Sequence, residues 1–158
     1  MIKISPEPFT QTEIDLMVSW LNNQDLMKYS EQRIYKHTQA SQLKYINSFK
    51  EPNRYHKLTV EGNCVGSVSA YIDPLNRIAD VGILIGAPYT GKGYGSLAWG
   101  IFCQSLHARK IEAGCRAQNK AMIRIFEKNG MRLEGTRKYH FWTEGGECDH
   151  MVLYGMLT

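Results

Sequence analysis

The chain has 158 residues, which is the usual length of one domain. Hydrophobic residues make up 43% and charged residues 22%, so the composition excludes a disordered, fibrous or low-complexity protein. The net charge of +4 favours an anionic ligand. Because the Lys and Arg residues are spread along the chain without a cluster, nucleic-acid binding is only a third and weaker alternative.

The first residues carry no apolar run behind their charge, and no stretch approaches the roughly 18 apolar residues of a membrane span. We therefore predict a cytoplasmic protein without a membrane partner. The four cysteines form no C-x-x-C pair, and no clustered histidines complete a zinc set. They are predicted to be reduced thiols in or near the core.

Two helices and three strands are predicted in the first half of the chain. Thr10 and Glu13 have capping-box spacing before a helix over 12–22, and a second helix covers 39–49. Strands follow at 55–60, 65–72 and 78–85, joined by short turns, which indicates an antiparallel meander. The third strand is almost continuously apolar, with Asp80 as its only charge, so it is expected to be covered on both faces.

In the second half, a long helix is predicted to end near residue 109, followed by a strand at 111–117. Asn119 can cap the next helix, and Asn129-Gly130 can end it, before two last strands near 131–142 and 148–157. The predicted order is ααβββαβαββ. The strand, helix and strand within 78–116 imply a right-handed crossover, which places the loop at 86–95 at the carboxyl end of a central strand, where ligands bind.

That loop carries the clearest chemical signal. Glycines at 91, 93 and 95 allow close approach of a ligand to the backbone, and N–H groups at a helix N-terminus bind anions, so a phosphate or pyrophosphate is the favoured ligand. The Walker A pattern fails because Gly93 follows Lys92 where Ser or Thr is needed. The dinucleotide pattern G-x-G-x-x-G fails because its third glycine comes one position early.

Several ordered segments together resemble the GNAT superfamily of acyl-CoA-dependent N-acetyltransferases, and look closest to its RimJ/RimL-type branch. They are Ala79-Asp80-Val81-Gly82-Ile83, Gly91-Lys92-Gly93-Tyr94-Gly95, Asn119 with Ala121 and Ile123, Phe126-Glu127-Lys128-Asn129-Gly130-Met131, and Glu134-Gly135. The resemblance implies one α/β (mixed α+β) domain over 1–158. Its expected fold is a twisted, mixed, mostly antiparallel sheet of six to seven strands with about four helices. Acetyl-CoA would lie in a cleft between splayed central strands, no metal is implied, and a homodimer is a family-based expectation.

The resemblance also assigns the co-substrate site. The family's Q/R-x-x-G-x-G/A loop falls on Thr90 to Gly95, with Thr90 departing from the usual Gln or Arg, and the amides of residues 92–96 would hold the pyrophosphate. Asn119 would bind the pantetheine arm, or serve as a plain helix cap, or both. The predicted cofactor-binding residues are Ile83, Leu84, Ile85, Thr90, Gly91, Lys92, Gly93, Tyr94, Gly95, Ser96, Asn119, Arg124, Phe126 and Lys128.

The implied reaction is direct attack of a neutral amine on the thioester. A free amine with a pKa near 10 is protonated at neutral pH, so a base is needed, and Asp80 is the candidate; the alternative is a structural aspartate. Many relatives carry a tyrosine acid where this chain has Phe126. Tyr139 is the predicted acid, with Tyr154, or no dedicated acid, as alternatives.

The segment between the first two helices is predicted to bind the acceptor, although a solvated connector is equally consistent with its composition. The predicted substrate-binding residues are Tyr29, Ser30, Glu31, Arg33 and Tyr71. The favoured acceptor is a small-molecule amine or amino sugar, including a nucleotide-linked one. The alternatives are a protein N-terminal amine and a CoA-binding regulatory module without turnover.

Overall fold

The computed structural model describes all 158 residues. Its helices are α1 (Gln11–Leu21), α2 (Gln39–Asn47), α3 (Tyr94–Ser105) and α4 (Lys120–Lys128). Short 3-10 turns lie at Glu31–Ile34 and Ala87–Tyr89. The strands are β1 (Ile2–Ser5), β2 (Arg54–Val60), β3 (Asn63–Asp73), β4 (Ile78–Ile85), β5 (Lys110–Arg116), β6 (Arg132–Trp142) and β7 (Cys148–Leu157).

Local sequence signals set most helix ends. Thr10 caps α1 by accepting the N–H of Glu13 at 3.2 Å, and the Glu13 carboxylate accepts the N–H of Thr10 at 2.8 Å. Helix α3 is shorter than predicted, since Leu106 already has an extended backbone. The N–H of Arg109 instead donates to the Arg77 carbonyl at 2.7 Å, which leads the chain into β5. None of the helices is long and apolar enough to cross a bilayer.

The seven strands form one sheet in the order β1-β2-β3-β4-β5-β7-β6. Only β4 and β5 are parallel neighbours, joined through α3, and all other pairs are antiparallel. This seven-stranded mixed sheet with four helices confirms the predicted fold class. Strand β1 was not predicted, because four residues before Pro6 carry too short an alternation to be distinguished from a loop.

The two central strands separate partway along their length. Strands β4 and β5 pair only at Ile78↔Lys110, Ala79↔Ile111 and Asp80↔Glu112, although β4 continues for five residues and β5 for four more. Strand β5 remains paired with β7 over its whole length, so it is β4 and β5 that diverge. A cleft therefore opens in the middle of the sheet, directly before the glycine loop.

The core lies mainly between the sheet and helices α3 and α4, where Trp99, Phe102 and Phe126 are almost fully buried. Strand β4 buries Ala79 and Val81 in this core. The prediction that β4 is covered on both faces is wrong in its first half, because Asp80 is exposed on the opposite face beside the exposed ring of Tyr71.

Candidate active site

The glycine loop joins β4 to α3 in a left-handed conformation. Gly91 has φ of 75° and Gly93 has φ of 82°, values that residues with a Cβ rarely adopt. Gly93 is the N-cap of α3 and offers no capping side chain. The Thr90 hydroxyl donates to the Ala87 carbonyl at 3.0 Å, so this side chain supports the preceding turn.

The backbone N–H groups of residues 91–96 donate no hydrogen bond to any acceptor in the protein. A Cβ added at Gly91 or Gly93 would meet no atom within 4 Å, so the space beside these two Cα atoms is open. At Gly95 a Cβ would lie 2.9 Å from Ile125 Cδ1, so this glycine brings α3 against α4. Six free amides at the positive end of a helix form a site for a phosphate or diphosphate.

A cavity of about 1010 Å³ reaches this loop at Thr90 and extends between β4 and the link that follows β5, while residues 91–96 lie outside its lining. Its walls are the chain segments before and within α2, one face of β3 and β4, and the link between β5 and α4. The lining residues are Leu21, Asp25, Leu26, Met27, Lys28, Tyr29, Ser30, Gln32, Tyr35, Lys36, His37, Ser41, Gln42, Tyr45, Tyr55, Ser67, Ser69, Gly82, Ile83, Leu84, Thr90, Gln118, Asn119, Lys120 and Ala121.

Four of the predicted cofactor-binding residues, Ile83, Leu84, Thr90 and Asn119, line this cavity. The Asn119 Oδ1 accepts the N–H of Met122 at 3.1 Å as the cap of α4, while its amide NH₂ has no acceptor in the protein. Asn119 therefore serves as a helix cap and still has donors that face the cleft.

Other predicted cofactor-binding residues lie outside the cavity lining. Ile85 packs against the core, and Arg124 and Lys128 are exposed on α4 without an ion-pair partner. Phe126 is 1% exposed, with its ring centroid 5.2 Å from those of Trp99 and Tyr154. The structure corrects the prediction for Phe126, because a ring enclosed in this way packs the core and does not reach the cleft.

The candidate base, Asp80, lies on the same face of β4 as Gly82 and Leu84 but outside the main cavity. It lines a shallow depression with Tyr71 and Glu112, so the predicted substrate residue Tyr71 is also outside the main cavity. Partial burial against the sheet, followed by the negative charge of Glu112, raises the pKa of the Asp80 carboxyl.

The predicted acid, Tyr139, is not brought to the cleft. It is 72% exposed on β6 at φ of 53°, in a stretch where the pairing with β7 is interrupted, and its N–H donates to His150 Nδ1 at 2.8 Å. Tyr154 is buried, and its hydroxyl donates to a Glu127 carboxylate oxygen at 3.3 Å. Burial and this carboxylate raise the pKa of Tyr154.

Of the predicted acceptor residues before α2, Tyr29 and Ser30 line the cavity, whereas Glu31 and Arg33 do not. Glu31 Oε1 accepts hydrogen bonds from Arg116 at 2.6 Å and from Arg33 at 3.3 Å. Arg33 also contacts the Glu144 carboxylate at 3.1 Å. Because their charges are paired within the protein and neither residue lines the cavity, the structure adds no support for the substrate role of Glu31 and Arg33, which stays a prediction.

No structural or functional role was predicted for Arg116 from the sequence. Its side chain is 3% exposed at the end of β5, and its guanidinium lies 4.7 Å from the ring centroid of Phe141. Its only carboxylate partner is Glu31, which lies 85 positions earlier in the chain. The ion pair therefore fixes the segment between α1 and α2 to the end of the central strand β5. The hydrogen bond from Arg116 lowers the pKa of the Glu31 carboxyl.

We expect Glu31→Gln to lower the free energy of unfolding by about 2 kcal/mol, because it leaves the buried Arg116 charge without a carboxylate. The loss stays below the ~3–5 kcal/mol of fully buried pairs, since Glu31 is 55% exposed. Because the folded-state pKa of Glu31 is lowered, this stability is present above its unfolded pKa and is lost as the pH falls through the folded value. Urea denaturation at pH 7 and below pH 4 measures both effects.

Glu144→Gln is the matched control for this variant. Its carboxylate is 74% exposed and pairs only with Arg33, which retains Glu31. We expect a loss of less than about 1 kcal/mol. Equal losses from the two variants would contradict the importance assigned to the Arg116 pair.

Sequence reasoning also missed the polar residues at the floor of the cavity. The Tyr55 hydroxyl donates to Ser67 Oγ at 3.1 Å and accepts from Gln42 Nε2 at 3.3 Å, and burial raises the pKa of Tyr55 to about 12. A signal was present in β3, where Ser67 and Ser69 alternate with Val68 and Ala70. Polar alternation in a central strand marks a face that lines a cavity.

No three or more His, Cys, Asp or Glu side chains are grouped to hold a metal ion. Two cysteines, Cys64 and Cys103, are buried as predicted, whereas Cys148 is exposed at the start of β7. All four cysteines are free thiols.

Solved structures with the same fold include the spermidine N-acetyltransferase of Vibrio cholerae with CoA and spermine, at 18% identity over 99% of this chain and 95% of that chain, with a TM-score of 0.85. RimL, a ribosomal L7/L12 α-N-protein acetyltransferase in complex with CoA, is 16% identical over 99% of this chain and 93% of that chain, with a TM-score of 0.85. The microcin C7 self-immunity acetyltransferase MccE, in complex with acetyl-CoA and AMP, is 17% identical over 99% of this chain and 92% of that chain, with a TM-score of 0.83.

A comparison with curated proteins found no match to this sequence. The family model described as "Acetyltransferase (GNAT) domain" matches residues 7–132, which include the segment between α1 and α2, the diverging strands, the glycine loop and α4. The free amides of the loop and the divergence of β4 from β5 are consistent with this family match. The chain belongs to the GNAT acetyltransferase family, whose members transfer an acetyl group from the co-substrate acetyl-CoA.

Proposed function

We propose that this protein transfers the acetyl group of acetyl-CoA to the primary amine of a small molecule or amino sugar, including a nucleotide-linked one, by direct attack in a ternary complex. The observation that carries the proposal is the row of free amides at residues 91–96, placed where β4 and β5 diverge. The amides hold the diphosphate, and the cleft beside them accommodates the pantetheine arm and the amine.

The edge of β4 that no longer pairs with β5 positions the thioester. The pantetheine arm lies beside Ile83 and Leu84 like an added strand, and the free NH₂ of Asn119 donates to its amide oxygens from the opposite wall. An N–H of the β4 edge near Ile83 stabilises the oxyanion that forms as the amine attacks. The amine reaches the carbonyl from the wall that carries Tyr29 and Ser30.

The attacking amine has to lose a proton, and we assign its final acceptor to Asp80. This carboxylate is one side-chain repeat, about 7 Å, from Gly82 on the same face of β4. Ser69 pairs with Gly82 in the neighbouring strand and lines the cavity, and a Cβ built on Gly82 would lie 3.0 Å from its Oγ, so we assign this hydroxyl and water to the relay of the proton to Asp80. The raised pKa of Asp80 makes the carboxylate a better base than an ordinary aspartate.

The leaving thiolate needs no dedicated acid in this scheme, since the pKa of an ordinary thiol is about 8.5. The enclosed position of Phe126 and the exposed position of Tyr139 support this version. The same features favour the second candidate function, a module that binds CoA without turnover.

Membership of the RimJ/RimL-type branch is also part of the proposal. The likeness to RimL supports it through the fold and leaves a protein N-terminal amine as the alternative acceptor. The likeness to MccE, which is in complex with acetyl-CoA and AMP, supports a nucleotide-bearing acceptor. The cavity of about 1010 Å³ is large enough for the pantetheine arm together with a small acceptor.

The test is a thiol-release assay with acetyl-CoA and a panel of amines, amino sugars and N-terminal peptides. We expect acceptor-dependent release of CoA with a small amine or amino sugar. Calorimetry with acetyl-CoA in parallel separates the two candidate functions, because binding without release from any acceptor would favour the non-catalytic module. Absence of binding would overturn both.

A further inference from the structure

The acceptor side of the cavity carries an excess of unpaired positive charge. Lys28 and Lys36 line this wall, and Lys120 lines the opposite one. None of the three ammonium groups lies within 4.0 Å of a carboxylate or makes a hydrogen bond within the protein. Asp25 is the only acidic residue in the lining.

Glu31, the acidic residue nearest to this wall in the sequence, does not offset the positive charge, because it is already paired within the protein. Glu31 lies next to Ser30 in the lining segment, but its carboxylate binds both Arg116 and Arg33. Its lowered pKa, caused first by the hydrogen bond from Arg116, keeps it ionised and paired. It therefore offers little attraction to an ammonium group in the cavity.

The backbone of the segment that carries the two lysines is held by the side chains of Asn22 and Gln24. The Asn22 side chain accepts the His37 N–H at 2.8 Å and donates to the His37 carbonyl at 2.9 Å. Gln24 Nε2 donates to the Arg33 carbonyl at 3.1 Å. Lys36 therefore extends from a fixed backbone, and Lys28 Nζ lies 5.2 Å from the ring centroid of Tyr29 in the same wall.

We propose that the acceptor is an amine that also carries an anionic group, a phosphate or a carboxylate, and that Lys28 and Lys36 bind this group. The inference rests on the proposed acetyl transfer. A polyamine is the wrong acceptor class, because three unpaired ammonium groups and one carboxylate repel a polycation. The exposed Tyr35 and Tyr45 provide aromatic surfaces and hydroxyl groups for the remaining part of the acceptor.

The experiment compares acceptors that differ only in charge: glucosamine with glucosamine 6-phosphate, ethanolamine with phosphoethanolamine, and butylamine with 4-aminobutyrate, with spermidine as the polycation. We expect kcat/KM to be at least ~10-fold higher for one or more of the anionic acceptors than for their neutral partners. A fold-change of this size corresponds to one additional hydrogen bond between charged groups. The phosphate and carboxylate pairs distinguish the two anion sources. The preference should decrease between low and high salt.

The variant Lys28→Gln/Lys36→Gln should raise KM for the preferred anionic acceptor ~10-fold or more and leave KM for acetyl-CoA unchanged. Lys44→Gln/Lys50→Gln is the matched control, since both lysines are exposed and outside the cavity lining. An increased KM for acetyl-CoA instead would assign the two lysines to the CoA phosphates and overturn the proposal.

Two outcomes separate this inference from the proposed function. Turnover of neutral amines or spermidine at least as fast as anionic amines would overturn the anionic acceptor while acetyl transfer stands. If no amine is turned over, the proposed function fails, and thermal shifts of the CoA-loaded protein still test the site. Stabilisation by phosphoethanolamine but not ethanolamine would support the anion site, and equal shifts would overturn it.

Discussion

We expect the double variant Gly91→Ala/Gly93→Ala to bind acetyl-CoA at least ~100-fold more weakly than the wild-type protein. The two methyl groups enter the open space beside the loop, where we propose that the diphosphate binds, and would displace at least two charged hydrogen bonds of about 1.5–3 kcal/mol each. Isothermal titration calorimetry with acetyl-CoA measures the change directly.

The matched control is Gly62→Ala/Gly130→Ala. These glycines have φ of 81° and 80°, and a Cβ at either position also meets no atom within 4 Å, so the backbone strain is the same, about 1–2 kcal/mol per residue. Both double variants should lose similar thermal stability, but only the loop variant should lose binding. Equal loss of binding in both would show that strain, and not the diphosphate site, is responsible.

The second large effect is expected at Asp80. Asp80→Asn should lower kcat by about 10²–10⁴-fold while the affinity for acetyl-CoA stays unchanged, because the variant removes a proton acceptor outside the main cavity. In the wild-type protein, activity should fall as the pH drops through the pKa of Asp80, which lies above the usual value for aspartate. The pH dependence of kcat/KM with a fixed acceptor checks this.

Glu112→Gln is the control for the base. It removes the negative charge that raises the pKa of Asp80, so the acidic limb of the pH profile should move to lower pH with activity retained. An unchanged acidic limb in both Asp80→Asn and Glu112→Gln would show that another group, or the acceptor itself, takes the proton.

Much of the fold could be predicted because its signals are local. The capping box at Thr10, the cap at Asn119 and the turn at Asn129-Gly130 each act within four residues, and the structure has helices at these places. Strand β1 could not be predicted, because its four residues are stabilised by pairing with β2, more than fifty positions later.

The candidate site also contains a part that local sequence predicts and a part that depends on distant contacts. The glycine loop was predicted from consecutive residues whose backbone geometry depends mainly on their own type, and Gly91 and Gly93 have the left-handed angles that glycine favours. Of the four residues before α2 that were predicted to bind the acceptor, two line the cavity. Tyr29 and Ser30 face the cavity, but Glu31 and Arg33 pair with residues from distant strands and turns.

The sequence by itself determined the order of the helices and strands after β1 and the position of the glycine loop, since periodicity, caps and glycine positions are properties of neighbouring residues. The tertiary structure alone decided where β4 and β5 separate, that Phe126 is enclosed in the core, and that Arg116 neutralises Glu31. These features depend on burial and charge pairing between residues far apart in the chain. Such contacts exist only after the sheet has brought those residues together.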